Sequence, residues 1–349
     1  MPARVALVAG ANGLIGRHLA SHLVRRGWDV VAAGRKPWSG AGARAVTVDL
    51  ADAGKARAGL AGLSEVTHVF YCVRADHPEG VPESVDLNAA MLRNLVDALE
   101  PAAPRLAHIH LVHGTKYYGH HLGPCAIPAV EEGPRGPGGT FYHAQQDFIA
   151  GRAGAARWTW SIARPHAYCF EESDNPRSLV LVIAVLAAVQ RELGEPLFFP
   201  GSVKNYGAIT QFTEVALLAR AAEWMATAPQ CANQALNVVN GDYPRWSELW
   251  PRLAQMLGLQ AGPPRGVKLG AYMADKAPVW DAIVAKHGLQ PSALDGIVLW
   301  NYGDYAFAPE WDIMSSTDKA RRLGLEERID TPGMFSRLFE GYRAKRVIP

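Results

Sequence analysis

The sequence predicts an α/β chain built on a doubly wound parallel sheet, and three observations carry that expectation. Short apolar runs alternate with helical patterns through the first half, as they do when parallel strands are covered on both faces. Gly10, Gly13 and Gly16 stand between the first apolar run and the first helical one. The 349 residues are 49% hydrophobic and 19% charged, enough for one large domain or two joined ones. The expected architecture is a Rossmann-type dinucleotide-binding sheet over residues 1–175. A smaller, mostly helical C-terminal substrate-binding portion follows over residues 176–349.

Each element follows in order. "RVALVAG" (Arg4–Gly10) reads as the first strand, and "LIGRHLASHLVRRG" as an amphipathic helix ending at Gly27. "DVVAAG", "RAVTVDL" and "THVFYC" are the next three strands. A helix from about Glu83 to Leu99 is expected to stop before Pro101. "RLAHIHLVHG" is the fifth strand, Tyr142–Arg152 a helix and "WTWSIARP" the sixth strand. Beyond Pro176 helices are expected at Ser178–Glu192, Thr213–Ala226, Arg245–Leu257 and Ala277–Lys286, and "ALNVVNG" is a strand that can return to the sheet.

Composition narrows the function. The net charge of +2, without a basic block, argues against nucleic-acid binding. The longest apolar run, "LVLVIAVLAAV", is shorter than the roughly 20 residues a membrane helix needs and reads as a buried helix. Four scattered cysteines, none in a C-x-x-C pair, point to a reduced, cytoplasmic protein. The histidines lack the converging acidic or sulfur ligands of a metal site, so no metal is expected, and His108 and His110 read as core or interface residues. A homodimer is compatible with the sequence.

"GANGLIG" follows the first strand and opens the first helix. A tight turn, a close backbone approach and a bare helix N-terminus are what a pyrophosphate needs. Gly10, Asn12, Gly13, Leu14, Ile15 and Gly16 are therefore candidate cofactor contacts. The second strand ends in Arg35 and Lys36, where an NAD enzyme usually has an acid. Positive charge there suits a 2′-phosphate, so the expected cofactor is NADPH; two solvated surface cations are the bland alternative. Asp49 and Leu50 after the third strand, Cys72 and Val73 after the fourth, Thr115 after the fifth, and Arg164, Pro165 and His166 after the sixth complete the candidate cofactor set.

The reaction end turns on "FYHAQQDF". Reductases on this scaffold often carry Tyr-x-x-x-Lys, which stacks both side chains on one helix face. Here Tyr142 is followed four residues later by Gln146. A lysine is available elsewhere: Lys116 in "GTKYYG" lies just past the fifth strand's carboxyl end. An ammonium beside Tyr142 would favour the phenolate and donate hydrogen bonds to a ribose.

"GTKYYG" and "FYHAQQDF" resemble the G-T-K-H-Y and F-Y-Y-x-x-E-D motifs of the progesterone 5β-reductase/iridoid synthase-like family, atypical extended short-chain dehydrogenases/reductases. "THVFYCVRA", "NAAMLRNLVDAL", "ARPHAYCF", "NPRSLV", "FFPGS", "NVVNGDYPRWSELWPRLA" and "MADKAPVWDAIV" extend the resemblance over nearly the whole chain. The resemblance implies NADPH-dependent reduction of a carbon–carbon double bond conjugated to a carbonyl, with Tyr142 and Lys116 as the catalytic pair and a small-molecule enone or enal as substrate.

The chain departs from the family at Arg74, Cys125 and His143, where Trp, Phe and Tyr are usual; with Tyr206 these are the candidate pocket residues. Lost apolar faces and an added cation point to a small or partly anionic substrate rather than a steroid. Cys125 has no evident histidine partner in the sequence and reads as a small lining residue. Rival readings are a carbonyl reductase or sugar-nucleotide epimerase on the same fold, distinguished by turnover of saturated ketones, and a non-catalytic NADPH-binding protein, distinguished by binding without oxidation.

Overall fold

The computed structural model describes residues 4–75 and 81–349. Its centre is a seven-stranded sheet. Six strands come from the N-terminal half: β1 (Val5–Ala9), β2 (Asp29–Gly34), β3 (Ala43–Thr47), β4 (His68–Tyr71), β5 (His108–Val112) and β6 (Thr159–Arg164). The seventh, Gln234–Asn237, comes from the C-terminal half and pairs parallel with β6. The order is Gln234–Asn237, β6, β5, β4, β1, β2, β3, with every neighbouring pair parallel. Strand order reverses beside β1, and the carboxyl ends around that point form the crevice where such sheets bind ligands.

Four helices belong to this half: α1 (Leu14–Arg25), α2 (Ala53–Leu60), α3 (Val85–Ala102) and α4 (Phe141–Ala153). Ser84 caps α3 by accepting from Leu87 N–H. The expected stop before Pro101 is corrected, because α3 takes Pro101 into its last turn. The proline removes only the bond to the Asp97 carbonyl, on an exposed part of the helix. Ala103 N–H still closes the helix on Leu99 at 2.8 Å.

His108 and His110 lie in the sheet core, and both engage Ser161 Oγ at 2.8 Å. The apolar run becomes the helix Leu179–Glu192, capped by Ser178 and buried from Leu179 to Gln190. It is the spine of a second core containing Phe199, Trp246, Trp250, Trp280 and Phe335. Among the described residues no helix is long and apolar enough to cross a membrane.

Candidate active site

The phosphate end is made of backbone. Gly10 takes φ +79°, a region that favours glycine. A Cβ on Gly16 would lie 2.1 Å from the Gly10 carbonyl oxygen, and one on Gly10 would lie 2.9 Å from that of Cys72. Side chains at either position would push α1 or the β4 end off the loop. Gly13 caps α1 without a side-chain hydrogen bond, and no acid stands in the first turn. The helix start, Leu14 to Gly16, thus offers N–H groups and a positive dipole end, so this cradle fits a dinucleotide's pyrophosphate.

The flanking residues divide. Arg35 and Lys36 are exposed beside the loop. Asn12 ties the loop to the β2 end: its Nδ2 donates to the carbonyls of Lys36 at 2.8 Å and Pro37 at 3.3 Å. Asp49 accepts from Ala51 N–H at 3.1 Å, shaping its own turn. Leu50 buries its side chain in the sheet core, and its carbonyl accepts from Asn94. Cys72 and Val73 back the loop, and burial pushes the Cys72 thiol up to about 12.

The reaction end is made of side chains. Thr115–Tyr118 forms a 3₁₀ turn directly after β5, and Tyr142 is the second residue of α4. A Cβ on Gly114 would lie 3.3 Å from Tyr142 Oη, so glycine lets the phenol close on the strand end. The Tyr142 ring stacks on His113, with centroids 4.7 Å apart. Burial holds the phenol above its ordinary range; Glu83 pushes the same way and Arg74 opposes.

Lys116 Nζ donates to Glu83 Oε2 at 3.0 Å, and Arg74 Nη1 donates to Glu83 Oε1 at 3.0 Å. One carboxylate thus bridges two cations. Lys116 spends its ammonium on Glu83, while burial, ahead of Glu83 and Tyr305, raises the Tyr142 phenol and so favours its protonated, donating form.

The turn is braced from behind. Arg164 is fully buried. It donates to Tyr118 Oη at 2.8 Å, to the Glu131 carbonyl at 3.2 Å and to Gln146 Oε1 at 2.8 Å. Its guanidinium also lies 3.4 Å from the Tyr117 ring centroid. Its side chain therefore supports the Lys116 turn, and Gln146 accepts from that cation.

His143 is likewise corrected from the pocket wall. It is buried, its Nε2 donates to the Tyr117 carbonyl at 2.8 Å, and its Nδ1 accepts from Thr140 N–H at 3.3 Å. Thr115 Oγ1 bonds His166 Nδ1, Thr115 N–H donates to the Pro165 carbonyl at 3.2 Å, and burial pushes His166 down to about 3. These bonds tie the β5 and β6 ends together. Tyr206 packs on Phe199 in the second core.

Cys125 does have a histidine partner: its Sγ lies 2.7 Å from His120 Nδ1. Gly119, at φ +87°, turns the chain so that the two residues face each other. Glu83, His113, His120 and Tyr168, whose hydroxyl donates to the His113 carbonyl at 3.2 Å, are neighbours of the site that sequence reasoning missed. Glu83 meets partners 9 and 33 positions away, so no local spacing marks it. Among the described residues no three His, Cys, Asp or Glu side chains group as a metal site would.

A model of the PRISE-like Rossmann-fold domain matches residues 46–349. The 3-oxo-Delta(4,5)-steroid 5-beta-reductase of Arabidopsis thaliana is 31% identical over 99% of this chain and 93% of its own length. The (S)-8-oxocitronellyl enol synthase of Catharanthus roseus is 29% identical over 99% and 92%. The short chain dehydrogenase gsfE of Penicillium aethiopicum is 32% identical over 81% and 80%. Among solved structures, a short-chain dehydrogenase/reductase superfamily protein from Agrobacterium tumefaciens with bound NAD superposes with a TM-score of 0.70. It is 16% identical and covers 98% of each chain, which speaks to fold alone.

Proposed function

The chain belongs to the PRISE-like Rossmann-fold family, the progesterone 5β-reductase/iridoid synthase-like group, and from that premise we propose that it is an NADPH-dependent reductase of carbon–carbon double bonds conjugated to a carbonyl. The observation that supports this reading is the half-buried phenol of Tyr142 lying over Gly114, at the start of the Gly114–Thr115–Lys116 turn.

Gly10, Gly13 and Gly16 with the start of α1 would hold the pyrophosphate, and Arg35 and Lys36 the 2′-phosphate. When bound, NADPH supplies the hydride for the β-carbon. Tyr142 donates a hydrogen bond to the carbonyl oxygen, where enolate charge develops. A donor aimed at developing charge is worth about 3 kcal/mol. Lys116, held by Glu83, donates toward the ribose. The α-carbon takes its proton from solvent. A carbonyl reductase or epimerase would normally use a lysine one turn after the tyrosine, and that position is Gln146, bound by Arg164.

The test is NADPH oxidation over small enals, cyclic enones and steroid enones, with saturated ketones as controls. We expect turnover of small enals or enones, and a loss of about two orders of magnitude in kcat for Tyr142→Phe with the cofactor Kd little changed. Equal turnover by wild type and Tyr142→Phe would refute the role of the phenol. Turnover of saturated ketones alone would refute the reaction class.

A further inference from the structure

We propose that Cys125 is a covalent modification site for conjugated enals and enones, with His120 accepting the thiol proton. The inference rests on the reductase reading only for the class of electrophile; the nucleophile stands on geometry.

Cys125 Sγ lies 2.7 Å from His120 Nδ1, and the imidazole is itself buried. The loop that carries the pair borders the reaction end. Cys125 packs with Tyr142 against Tyr117, Tyr118 and Ala129. Burial lowers the neighbouring His121, with Lys116 acting in the same direction and Glu83 opposing. Leu122 and Ile127, on the same loop, are 57% and 43% exposed. The half-buried sulfur thus has a base already in contact, on a loop that carries exposed apolar side chains. Cys169 and Cys231 are buried, and Cys72, half-buried like Cys125, packs against the core beneath α1 with its thiol pushed up to about 12 by burial.

The step balances without another reactant. The sulfur lone pair forms an S–C bond at the β-carbon, and the C=C π pair moves onto the carbonyl as an enolate. The thiol proton passes to His120 Nδ1 and then to the α-carbon. The product is a saturated thioether whose mass gain equals one electrophile. Burial pushes His120 down to about 4 and holds the Cys125 thiol above its ordinary range, so near neutrality the pair is thiol and neutral imidazole. Attack assisted by a neutral base does not depend on pH in that range. Attack by free thiolate rises about tenfold per pH unit below the thiol pKa.

The experiment treats full-length protein, without NADPH, with iodoacetamide and separately with crotonaldehyde followed by borohydride, and maps adducts by mass spectrometry. Expected are a single adduct at Cys125 with both reagents and a rate flat within about threefold from pH 6 to 8. For His120→Gln we expect labelling at least about tenfold slower at pH 6, with the steep thiolate dependence restored. The wild-type pH profile decides the matter if His120→Gln does not fold. Labelling that favours another cysteine, or a wild-type rate climbing about tenfold per unit, would overturn the proposal. Iodoacetamide labelling without a crotonaldehyde adduct would remove the enal while leaving the nucleophile. Failure of the reductase reading shows separately, as absent NADPH oxidation, because alkylation needs no cofactor.

Discussion

At the phosphate end of the crevice the working parts are Gly10, Gly13 and Gly16, within one short loop, and what they present is backbone. At the reaction end they are Arg74, Glu83, Lys116 and Tyr142, drawn from four separate stretches, and what they present is side chains. The first end is set by sterics that leave room for nothing larger than hydrogen at Gly10 and Gly16. The second is set by charge balance among groups brought together by folding. A backbone-built site resists an added atom, whereas a side-chain site depends on which charges pair, here Glu83 with Lys116 and Arg74, and Arg164 with Gln146.

Substitutions at the two ends should therefore differ in size and kind. The largest effect is expected for Gly16→Ala, whose Cβ would meet the Gly10 carbonyl at 2.1 Å. Overpacking of this kind costs about 1–3 kcal/mol, so NADPH affinity should fall by up to about a hundredfold or the melting temperature should drop. Calorimetry checks both, and an unaffected variant would break the steric half of the comparison. Next is Arg35→Ala with Lys36→Ala. We expect the preference for NADPH over NADH to fall about tenfold, roughly 1.4 kcal/mol, with NADH affinity unchanged.

Smaller effects belong to the charge-balanced end. Burial and Glu83 raise the Tyr142 phenol, so it remains a protonated donor below its raised pKa and loses that role only as pH climbs through it. Turnover should show no basic limb from Tyr142 up to about pH 9, where an ordinary phenol of pKa about 10 would begin to ionise. A limb near pH 8 that vanishes in Tyr142→Phe would contradict this. The smallest change is expected for Glu83→Gln, which removes one of the charges raising the phenol. Ultraviolet titration, with Tyr142→Phe as the blank, should show the phenol ionising at lower pH than in wild type.

Most of the sheet was legible because each strand is an apolar run bounded by turn residues, and the return of Gln234–Asn237 to β6 followed the same pattern. Pro101 misled, since the penalty for a proline depends on whether the lost bond is buried or exposed. In the site, Tyr142 and the glycines were visible from spacing and motif. Arg164 and Leu50 follow strand ends and His143 stands where the resembled motif has a tyrosine, and neither signal shows that Arg164 and His143 spend their side chains on the Lys116 turn. Sequence position gives an end, and only packing gives the direction of a side chain. Cys125 and His120 are five positions apart in a loop with no regular period, so their contact had no sequence signature.

What the sequence determined by itself is what short-range sterics dictate: parallel strands, helices with their caps, and a glycine turn that opens a helix N-terminus. What only the tertiary structure decided is the partner of each charge. Glu83 between Lys116 and Arg74, Arg164 on Gln146, and the phenol of Tyr142 kept protonated all depend on distances across segments far apart in the chain. Electrostatic energy follows distance and burial rather than order along the backbone, and neither exists until the chain has folded.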